Sequence, residues 1–187
     1  MTPPRLTATQ LRRQHELTPL IDAIAVSENF DPLLLHALIS QESRYNPTAV
    51  SPKGAAGLMQ FMPGTAVTYG ITPSERFDPA KSIRAGIRYL KKLSRMFGGN
   101  VDLILAGYNA GEGAVLRYGR KIPPFGETQK YVRFVKGFHA RYRSQARQRQ
   151  TRALLAGADD RLARARAAGG SGPERDPSRE RATGSER

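Results

Sequence analysis

The sequence predicts a mainly α-helical domain that is followed by an arginine-rich tail. Apolar residues recur at intervals of three and four over most of residues 15–143, the spacing that places side chains on one face of a helix. Asp-Pro pairs at 31–32 and 78–79 are typical helix starts, because aspartate caps unpaired amides and proline fits the first turn. No alternating apolar and polar run is long enough to predict a strand.

Five apolar stripes predict the helices of this domain. The first is expected after the Thr-Pro pair at 18–19, and the second ends at the Asn-Pro pair at 46–47, because the residue before a proline is driven out of the helical region. Residues 46–64 are rich in Pro, Gly and Ser and predict loops. The longest helix ends at the Gly-Gly pair at 98–99, and another apolar run occupies residues 101–111. Residues expected to face the core are Leu20, Ile21, Ile24, Ala25, Ile83, Ile87, Leu90, Leu93, Phe97, Tyr131, Val135, Phe138 and Tyr142.

Three segments are expected along the chain. Residues 1–14 are an N-terminal extension, residues 15–143 are the helical domain, and residues 144–187, the basic tail, are partly helical and then disordered. The net charge is +14, and residues 141–187 contain 12 arginines and 6 acidic residues. Such an excess suggests polyanionic partners, although a solvated basic surface explains the charge equally well.

Composition excludes several classes of site. There is no cysteine, so disulfides and thiolate zinc sites are excluded. The three histidines are far apart in sequence and form no metal-binding motif, so we expect no metal and no cofactor. No segment approaches the roughly 18 apolar residues of a membrane span, which predicts a soluble protein. The first residues lack the apolar core of a secretory signal, so they do not indicate an export route.

Glu42 lies where the helical period of the second stripe requires an apolar residue. Leu35, Leu38 and Ile39 precede it by seven, four and three positions, so its carboxylate shares their face. A desolvated carboxyl group has a raised pKa and can stay protonated near neutral pH. Such an acid can protonate a leaving oxygen, as the general acid does in glycosidic cleavage. The alternative is a glutamate at a frayed helix end that reaches solvent or pairs with Arg44.

Three motifs with a definite order and spacing carry a family resemblance. They are QESRYNPTAVSPKGAAGLMQFMPGTA at residues 41–66, GYNAGEG at 107–113 and PFGETQKYV at 124–132. Together they closely resemble the catalytic domain of the soluble lytic transglycosylases, bacterial enzymes that cut the glycan strands of peptidoglycan. The resemblance spans about residues 18–143 and implies a goose-type lysozyme-like helical domain with a substrate groove.

Position by position, the resemblance implies a role for ten residues. Glu42 matches the catalytic acid/base, and Ser43 matches the neighbour that helps to hold it. Tyr108 matches the tyrosine whose hydroxyl approaches the catalytic carboxyl, and Asn109 lies beside it. The other residues that match the substrate groove are Asn46, Ser51, Gln60, Met62, Glu127 and Tyr131.

The residues themselves leave plainer interpretations open. Met62 could belong to the core and Tyr108 could be a packed tyrosine, since both are common fates of these residue types. Asp78 and Asp102 are better explained as helix-start residues than as a second catalytic carboxylate. The chain also departs from the family pattern at Gly107, where alanine is common, and at Ser82, where asparagine is frequent.

The resemblance also implies a reaction that needs one carboxylate. Ordinary glycosidases use two, one as the acid and the other as nucleophile or base. In the family reaction Glu42 would protonate the oxygen that leaves C1 of N-acetylmuramic acid, and would then take the proton from the C6 hydroxyl of the same sugar. The product is a 1,6-anhydro ring and water is not consumed.

Three alternatives remain at this point. The domain could be a hydrolytic muramidase of the goose lysozyme type, or a peptidoglycan-binding module without catalysis. The basic tail could instead bind nucleic acid, but it has no interleaved aromatic residue beyond Tyr142 and so offers charge without stacking.

The resemblance to the lytic transglycosylases also implies a cellular location and a set of partners. We expect a monomer at the periplasm or cell envelope whose partners are peptidoglycan strands and, as a hypothesis, an envelope-spanning secretion or conjugation machine. No specific nucleic-acid partner is expected.

Overall fold

The computed structural model describes residues 2–168, which are predominantly helical and contain no strand. The predicted mainly α fold is therefore confirmed, and the disorder predicted beyond residue 168 lies outside the described residues. The chain divides into two compact units after Gln145. The helices are α1 (Ala8–Ser27), α2 (Pro32–Glu42), α3 (Pro63–Thr68), α4 (Pro79–Met96), α5 (Val101–Ala110), α6 (Glu112–Arg117) and α7 (Gly126–Ala168), and a 3₁₀ turn spans Ser74–Phe77.

The first helix begins well before the predicted start at Thr18. Thr7 is its N-cap and forms a reciprocal capping box with Gln10. Thr18 lies inside the helix, where its hydroxyl donates a hydrogen bond of 2.7 Å to the carbonyl of Gln14. The cap and the packing of the later turns outweigh the hydrogen bond that Pro19 removes. Part of the segment predicted as an N-terminal extension is therefore helical.

The long helix α4 lies at the centre of the core. Asp78 caps it by accepting a hydrogen bond of 2.9 Å from the amide of Lys81, as its sequence predicts. The helix packs against α1 and α5. It ends before Gly98 and Gly99, which both have positive φ. All the predicted core residues except Leu20 are buried, and Leu20 packs against the core from a partly buried position.

The side chain of Arg76 holds the loop between α2 and α3 in place through hydrogen bonds. Its guanidinium Nη1 donates to the carbonyls of Gly54 at 2.8 Å and Phe61 at 2.9 Å. Isolated bridges join Ala56 to Val50 and to Phe61, so the loop folds back on itself. None of the described helices is both long and apolar enough to cross a membrane.

Gly57 is the position where this loop tolerates no side chain. Its φ is +78°, and an added Cβ would lie 1.8 Å from the carbonyl oxygen of Arg76. We expect Gly57→Ala to lower the free energy of unfolding by at least about 2 kcal/mol, because strain and overlap with backbone add together. Chemical denaturation measures this change. Gly64→Ala is the control, since nothing lies within 4 Å of its added Cβ; equal stability of the two variants would contradict the prediction.

Candidate active site

The end of α2 positions the candidate catalytic carboxyl. The helix ends at Glu42, earlier than the predicted end at 46–47, because Arg44 and Tyr45 both adopt left-handed backbone conformations with φ of 52° and 60°. Tyr45 is completely buried beneath the turn. Burial of this aromatic ring therefore stops the helix before the proline does, and leaves Glu42 on its last turn.

A buried polar cluster holds Tyr45 in this conformation. Its hydroxyl lies 2.9 Å from Nδ1 of His36 and 3.3 Å from the hydroxyl of Tyr142, and it accepts a hydrogen bond of 3.2 Å from Nε2 of Gln14. Burial lowers the pKa of His36, although the carboxylate of Asp22 opposes the shift. A neutral His36 donates from Nε2 to Asp22 at 3.1 Å and accepts from Tyr45 through Nδ1. The cluster thus ties α1, α2 and α7 to the turn after Glu42.

Glu42 is a half-buried carboxyl with a strongly shifted pKa. Burial raises the pKa of Glu42 to about 7, and the charge of Glu127 adds to the rise. A hydrogen bond that the hydroxyl of Tyr131 donates to Oε1 of Glu42 lowers the pKa and partly offsets the rise. The group can therefore lose or gain a proton near neutral pH, as an acid/base catalyst must.

Tyr131 contacts the carboxyl of Glu42, whereas Tyr108 bonds elsewhere. The hydroxyl of Tyr108 donates a hydrogen bond of 2.8 Å to the carbonyl of Met59. Burial raises the pKa of Tyr108, and the charge of Glu42 raises it further, which indicates that the two groups are close. The sequence predicts that the hydroxyl of Tyr108 approaches the carboxyl, and this role stays a prediction; the hydroxyl that donates to Glu42 in the structure is that of Tyr131. The ring of Tyr108 packs in tilted arrangements against Phe61 and Tyr89, with ring centroids 6.4 Å and 5.2 Å away.

Asn109 and Gln60 are held by hydrogen bonds that orient their amides. Oδ1 of Asn109 accepts a hydrogen bond of 2.8 Å from the hydroxyl of Thr128, so its amide nitrogen is the atom available to a ligand. Nε2 of Gln60 donates to the carbonyls of Ala49 at 3.2 Å and Gly57 at 2.9 Å. Both side chains are therefore preorganised before any ligand binds.

Two cavities meet at Glu42. The larger, of about 500 Å³, is lined by Glu42, Ser51, Pro52, Lys53, Ala55, Gln60, Phe61, Met62, Thr65, Tyr89, Tyr108, Asn109, Gly111 and Glu127. The smaller, of about 360 Å³, is lined by Gln41, Glu42, Arg44, Asn109, Glu127, Lys130, Tyr131 and Phe134. Because Glu42, Asn109 and Glu127 belong to both, the cavities form one groove with the carboxyl of Glu42 in it. The groove is large enough to hold an oligosaccharide segment.

The structure brings eight of the ten predicted residues to this groove and leaves two beside it. Ser43 is buried, and its hydroxyl donates to the carbonyl of Ile39 at 3.3 Å. Asn46 accepts hydrogen bonds from the amide and hydroxyl of Thr48 at 3.2 Å and 3.0 Å. Both residues shape the turn after α2 and line neither cavity.

Sequence reasoning missed several lining residues. Tyr89 lies on α4 and lines the larger cavity. In the sequence it is one of many apolar residues at helical spacing, so nothing marked it as a site residue. Gln41 and Arg44 flank Glu42 in the first motif, so their position next to the acid was the available signal. Lys130 follows Glu127 by almost one helical turn, which places both on one side of α7.

Gly107 has a physical reason to depart from the family pattern. A Cβ at this position would lie 3.0 Å from the side chains of both Leu93 and Phe97. An alanine at this position would therefore require these two side chains to shift by a few tenths of an ångström. The oxygen of Ser82, the other departure, is buried and has no partner among the described residues.

Removal of the Tyr131 hydroxyl should raise the pKa of Glu42 above 7. The hydrogen bond favours the ionised carboxylate, so Tyr131→Phe removes the interaction that opposes burial. The carboxyl signal in ¹³C NMR, identified by its loss in Glu42→Gln, measures the titration. Tyr118→Phe is the control, because Tyr118 lines neither cavity. An unchanged or lower pKa in Tyr131→Phe would contradict the assigned role.

Proteins that are similar to this chain in sequence include lytic murein transglycosylases. The soluble lytic murein transglycosylase of Escherichia coli K12 is 39% identical over 127 residues, which covers 57% of this chain and 20% of the relative. The membrane-bound lytic murein transglycosylase F of Desulfosudis oleivorans is 41% identical over 103 residues, covering 52% of this chain and 22% of the relative. The chain thus spans about a fifth of the length of these relatives.

Solved structures that resemble this chain are also those of lytic transglycosylases. The 70 kDa soluble lytic transglycosylase of Escherichia coli superposes with a TM-score of 0.63 and 33% identity, over 68% of this chain and 24% of that one. The lytic transglycosylase Slt of Pseudomonas aeruginosa, solved as an inactive glutamate-to-glutamine mutant, gives a TM-score of 0.61 and 30% identity over the same shares. These neighbours confirm the predicted lysozyme-like fold. Residues 19–129 match the family described as the transglycosylase SLT domain, and since this match covers more than half of the chain, the protein belongs to that family.

Proposed function

We propose that this protein is a lytic transglycosylase that cleaves the β-1,4 bond between N-acetylmuramic acid and N-acetylglucosamine in peptidoglycan. The observation that carries the proposal is the carboxyl of Glu42, which is half-buried in the groove and has a pKa of about 7. Relatives named lytic murein transglycosylases support the same substrate. That this chain itself catalyses the cleavage is our proposal.

In the first step protonated Glu42 donates its proton to the glycosidic oxygen. The bond from this oxygen to C1 of N-acetylmuramic acid breaks, and N-acetylglucosamine leaves with a free 4-hydroxyl. The acetamido group of the muramic acid stabilises the developing positive charge at C1. The fraction of enzyme able to take this step falls as pH rises through about 7, since the donor must carry its proton.

In the second step the ionised Glu42 acts as the base. It removes the proton from the C6 hydroxyl of the same sugar, and the C6 oxygen bonds to C1 to give the 1,6-anhydro product. The nucleophile belongs to the reacting sugar, so it has a high effective concentration at C1. Glu42 regains its proton, and the enzyme returns to its starting state without consuming water. The hydroxyl of Tyr131 is placed to stabilise the carboxylate between the two steps.

The walls of the larger cavity are suited to bind the sugars. Tyr89 and Tyr108 offer aromatic surface, and Met62 offers an apolar side chain that is 42% exposed. The amide of Asn109 and the hydroxyl of Ser51 supply polar groups for acetamido and hydroxyl substituents. These contacts are proposed to hold the strand so that the bond to be cleaved lies at Glu42.

A hydrolytic muramidase is the second candidate, and Glu127 is the observation that favours it. Its carboxylate lines both cavities, and its charge reaches Glu42. A hydrolase needs a second carboxylate to activate water. Glu127 is 73% exposed at its side chain, and Nζ of Lys53 lies 3.6 Å from its Oε2. The exposed carboxylate is accessible to water, so it is the candidate base in the hydrolytic alternative.

The basic tail is proposed to hold the enzyme near anionic polymers of the cell envelope. Arginines from Arg147 to Arg164 are exposed along α7. Tyr142 is buried, and its hydroxyl lies 2.7 Å from Oγ of Ser40, so it offers no surface for stacking a nucleic-acid base. We further propose that the protein acts in the periplasm as a monomer, with an envelope-spanning secretion or conjugation machine as its partner.

Digestion of purified peptidoglycan tests the proposed reaction. The native protein should release muropeptides of 1,6-anhydro mass, measured by mass spectrometry. Glu42→Gln keeps the shape of the side chain but cannot donate the proton, so we expect turnover to fall at least about 10²-fold. Products heavier by one water would establish hydrolysis instead. Binding of the strand without products from the native protein would indicate a binding module.

Glu127→Gln separates the two reactions. The transglycosylase should retain its 1,6-anhydro product in this variant, because Glu42 serves as both acid and base. A hydrolase that uses Glu127 as its base would lose turnover as severely as Glu42→Gln does. Thermal unfolding of each variant shows whether a loss has a structural cause.

Truncation after Gln145 tests the basic tail. Binding to whole sacculi at low salt should weaken because exposed arginines are lost, whereas turnover of soluble muropeptides should change little. A full-length variant with Arg147, Arg149 and Arg152 changed to glutamine keeps the length of the chain and removes three positive charges, so its binding to sacculi should weaken as well. Equal sacculus binding by all three proteins would contradict the role of the tail.

A further inference from the structure

Two aromatic side chains lie together on the surface of the loop between α6 and α7. The rings of Tyr118 and Phe125 meet edge to face, with their centroids 5.6 Å apart. Tyr118 is 43% exposed and Phe125 is 40% exposed, and neither lines a cavity of the groove. Single exposed apolar residues are ordinary on a protein surface, whereas two exposed rings in contact form a patch that favours a partner.

The loop that carries this aromatic pair is anchored to the rest of the domain. Pro123 is buried, and Ile122 packs against the core from a partly buried position. Nη1 of Arg120 donates a hydrogen bond of 2.9 Å to the carbonyl of Met96 at the end of α4. These contacts hold the backbone of the loop in place, so the two rings are presented to solvent in a fixed arrangement.

The segment around the aromatic pair, residues 113–126, contains three cationic residues and no acidic one. Arg117 and Lys121 are exposed, and neither forms an ion pair with a residue that the structure describes. The acids that flank the segment, Glu112 and Glu127, each pair with a lysine from another part of the chain. The loop therefore presents positive charge beside its two rings, and an anionic partner complements it.

The composition of the loop favours a lipid bilayer over a sugar as this partner. Residues 113–126 contain no amide side chain, serine or threonine, the neutral polar groups that fix the orientation of a ligand in a specific site. Aromatic rings settle in the headgroup region of a bilayer, and lysine and arginine attract anionic lipids. The loop has both of these features and lacks the neutral polar groups that recognise a sugar.

We propose that the loop between α6 and α7 docks on an anionic lipid bilayer, with Tyr118 and Phe125 in the headgroup region and Arg117 and Lys121 against the lipid phosphates. Leu116, which is 43% exposed at the end of α6, adds apolar surface. The contact is peripheral, since the loop enters the interface without crossing the membrane. It differs from the contact proposed for the basic tail because salt does not screen the burial of the rings.

A single tryptophan tests whether the loop enters a bilayer. The chain contains no tryptophan, so Phe125→Trp supplies the only indole fluorescence of the full chain. We expect its emission to shift to shorter wavelength with phosphatidylglycerol vesicles and to stay unchanged with phosphatidylcholine vesicles. Val26→Trp is the matched control, because Val26 is 72% exposed on α1. No shift in Phe125→Trp with phosphatidylglycerol overturns the proposal, and so does an equal shift in Val26→Trp.

Co-sedimentation with the same vesicles measures the contribution of the rings. Tyr118→Ser/Phe125→Ser should lower the partition coefficient of the full chain at least about fivefold, because less apolar surface is buried. The loss should persist at roughly 1 M salt, where charges are screened beyond about 3 Å. Val26→Ser/Val67→Ser is the control, since both valines are exposed on other helices. Equal partitioning of the native chain and Tyr118→Ser/Phe125→Ser assigns membrane affinity to the basic tail and overturns the proposal.

The cations are tested in the same way. Arg117→Gln/Lys121→Gln should lower partitioning into phosphatidylglycerol vesicles about fivefold for each cation removed at low salt, and the difference should vanish at high salt. Partitioning that is unchanged at low salt contradicts the proposed contact with lipid phosphates. Thermal unfolding shows that each variant is folded before it is compared.

Soluble glycan strands provide the remaining comparison. An emission shift of Phe125→Trp with these strands, and none with vesicles, identifies the loop as a sugar contact and overturns the proposal. None of these measurements requires turnover of peptidoglycan. The docking surface is therefore supported or overturned independently of the reaction proposed for Glu42.

Discussion

Burial of Tyr45 below the turn after α2 is the constraint on which the site depends. A tyrosine in a left-handed conformation is strained, and the hydrogen bonds to its hydroxyl and the packing of its ring hold it there. The strain ends the helix at Glu42 instead of allowing it to reach the Asn-Pro pair at 46–47. The carboxyl therefore lies at a helix C-terminus, where the helix dipole disfavours negative charge. Local strain and global packing together place the carboxyl of Glu42 where its protonated form is favoured.

The pKa of Glu42 results from interactions that oppose one another. Burial and the charge of Glu127 favour the protonated acid, and the Tyr131 hydroxyl favours the carboxylate. A group that must donate a proton and later accept one needs such a balance, because either extreme would disable one step. Two separate parts of the chain supply the groups involved, namely the end of α2 with Glu42 and the first turns of α7 with Glu127 and Tyr131.

The two cavities that meet at Glu42 differ in the cationic side chains that line them. Lys53 is the cation of the larger cavity, and Arg44 and Lys130 are the cations of the smaller one. Glu42 and Glu127 line both, so the carboxylates lie where the cavities join.

The sequence by itself determined the helical class, the main helices and the family motifs, and it singled out Glu42 as the candidate acid. Glu42 could be found because an ionisable residue on an apolar stripe is costly and so stands out. The predicted start of α1 was wrong because the Thr-Pro pair at 18–19 was taken as a helix start. An earlier N-cap and tertiary packing carry the helix through Pro19.

Only the tertiary structure decided which tyrosine bonds Glu42 and which cations lie beside it. The family motif predicts Tyr131 in the groove without saying what its hydroxyl contacts, and Arg44 and Lys130 have no predicted place in the groove. Their roles follow from how α2 and α7 meet, a long-range contact that local periodicity does not encode. Local sequence patterns therefore predict helices and reveal unusual residues. Tertiary packing alone brings together side chains that are far apart in the sequence.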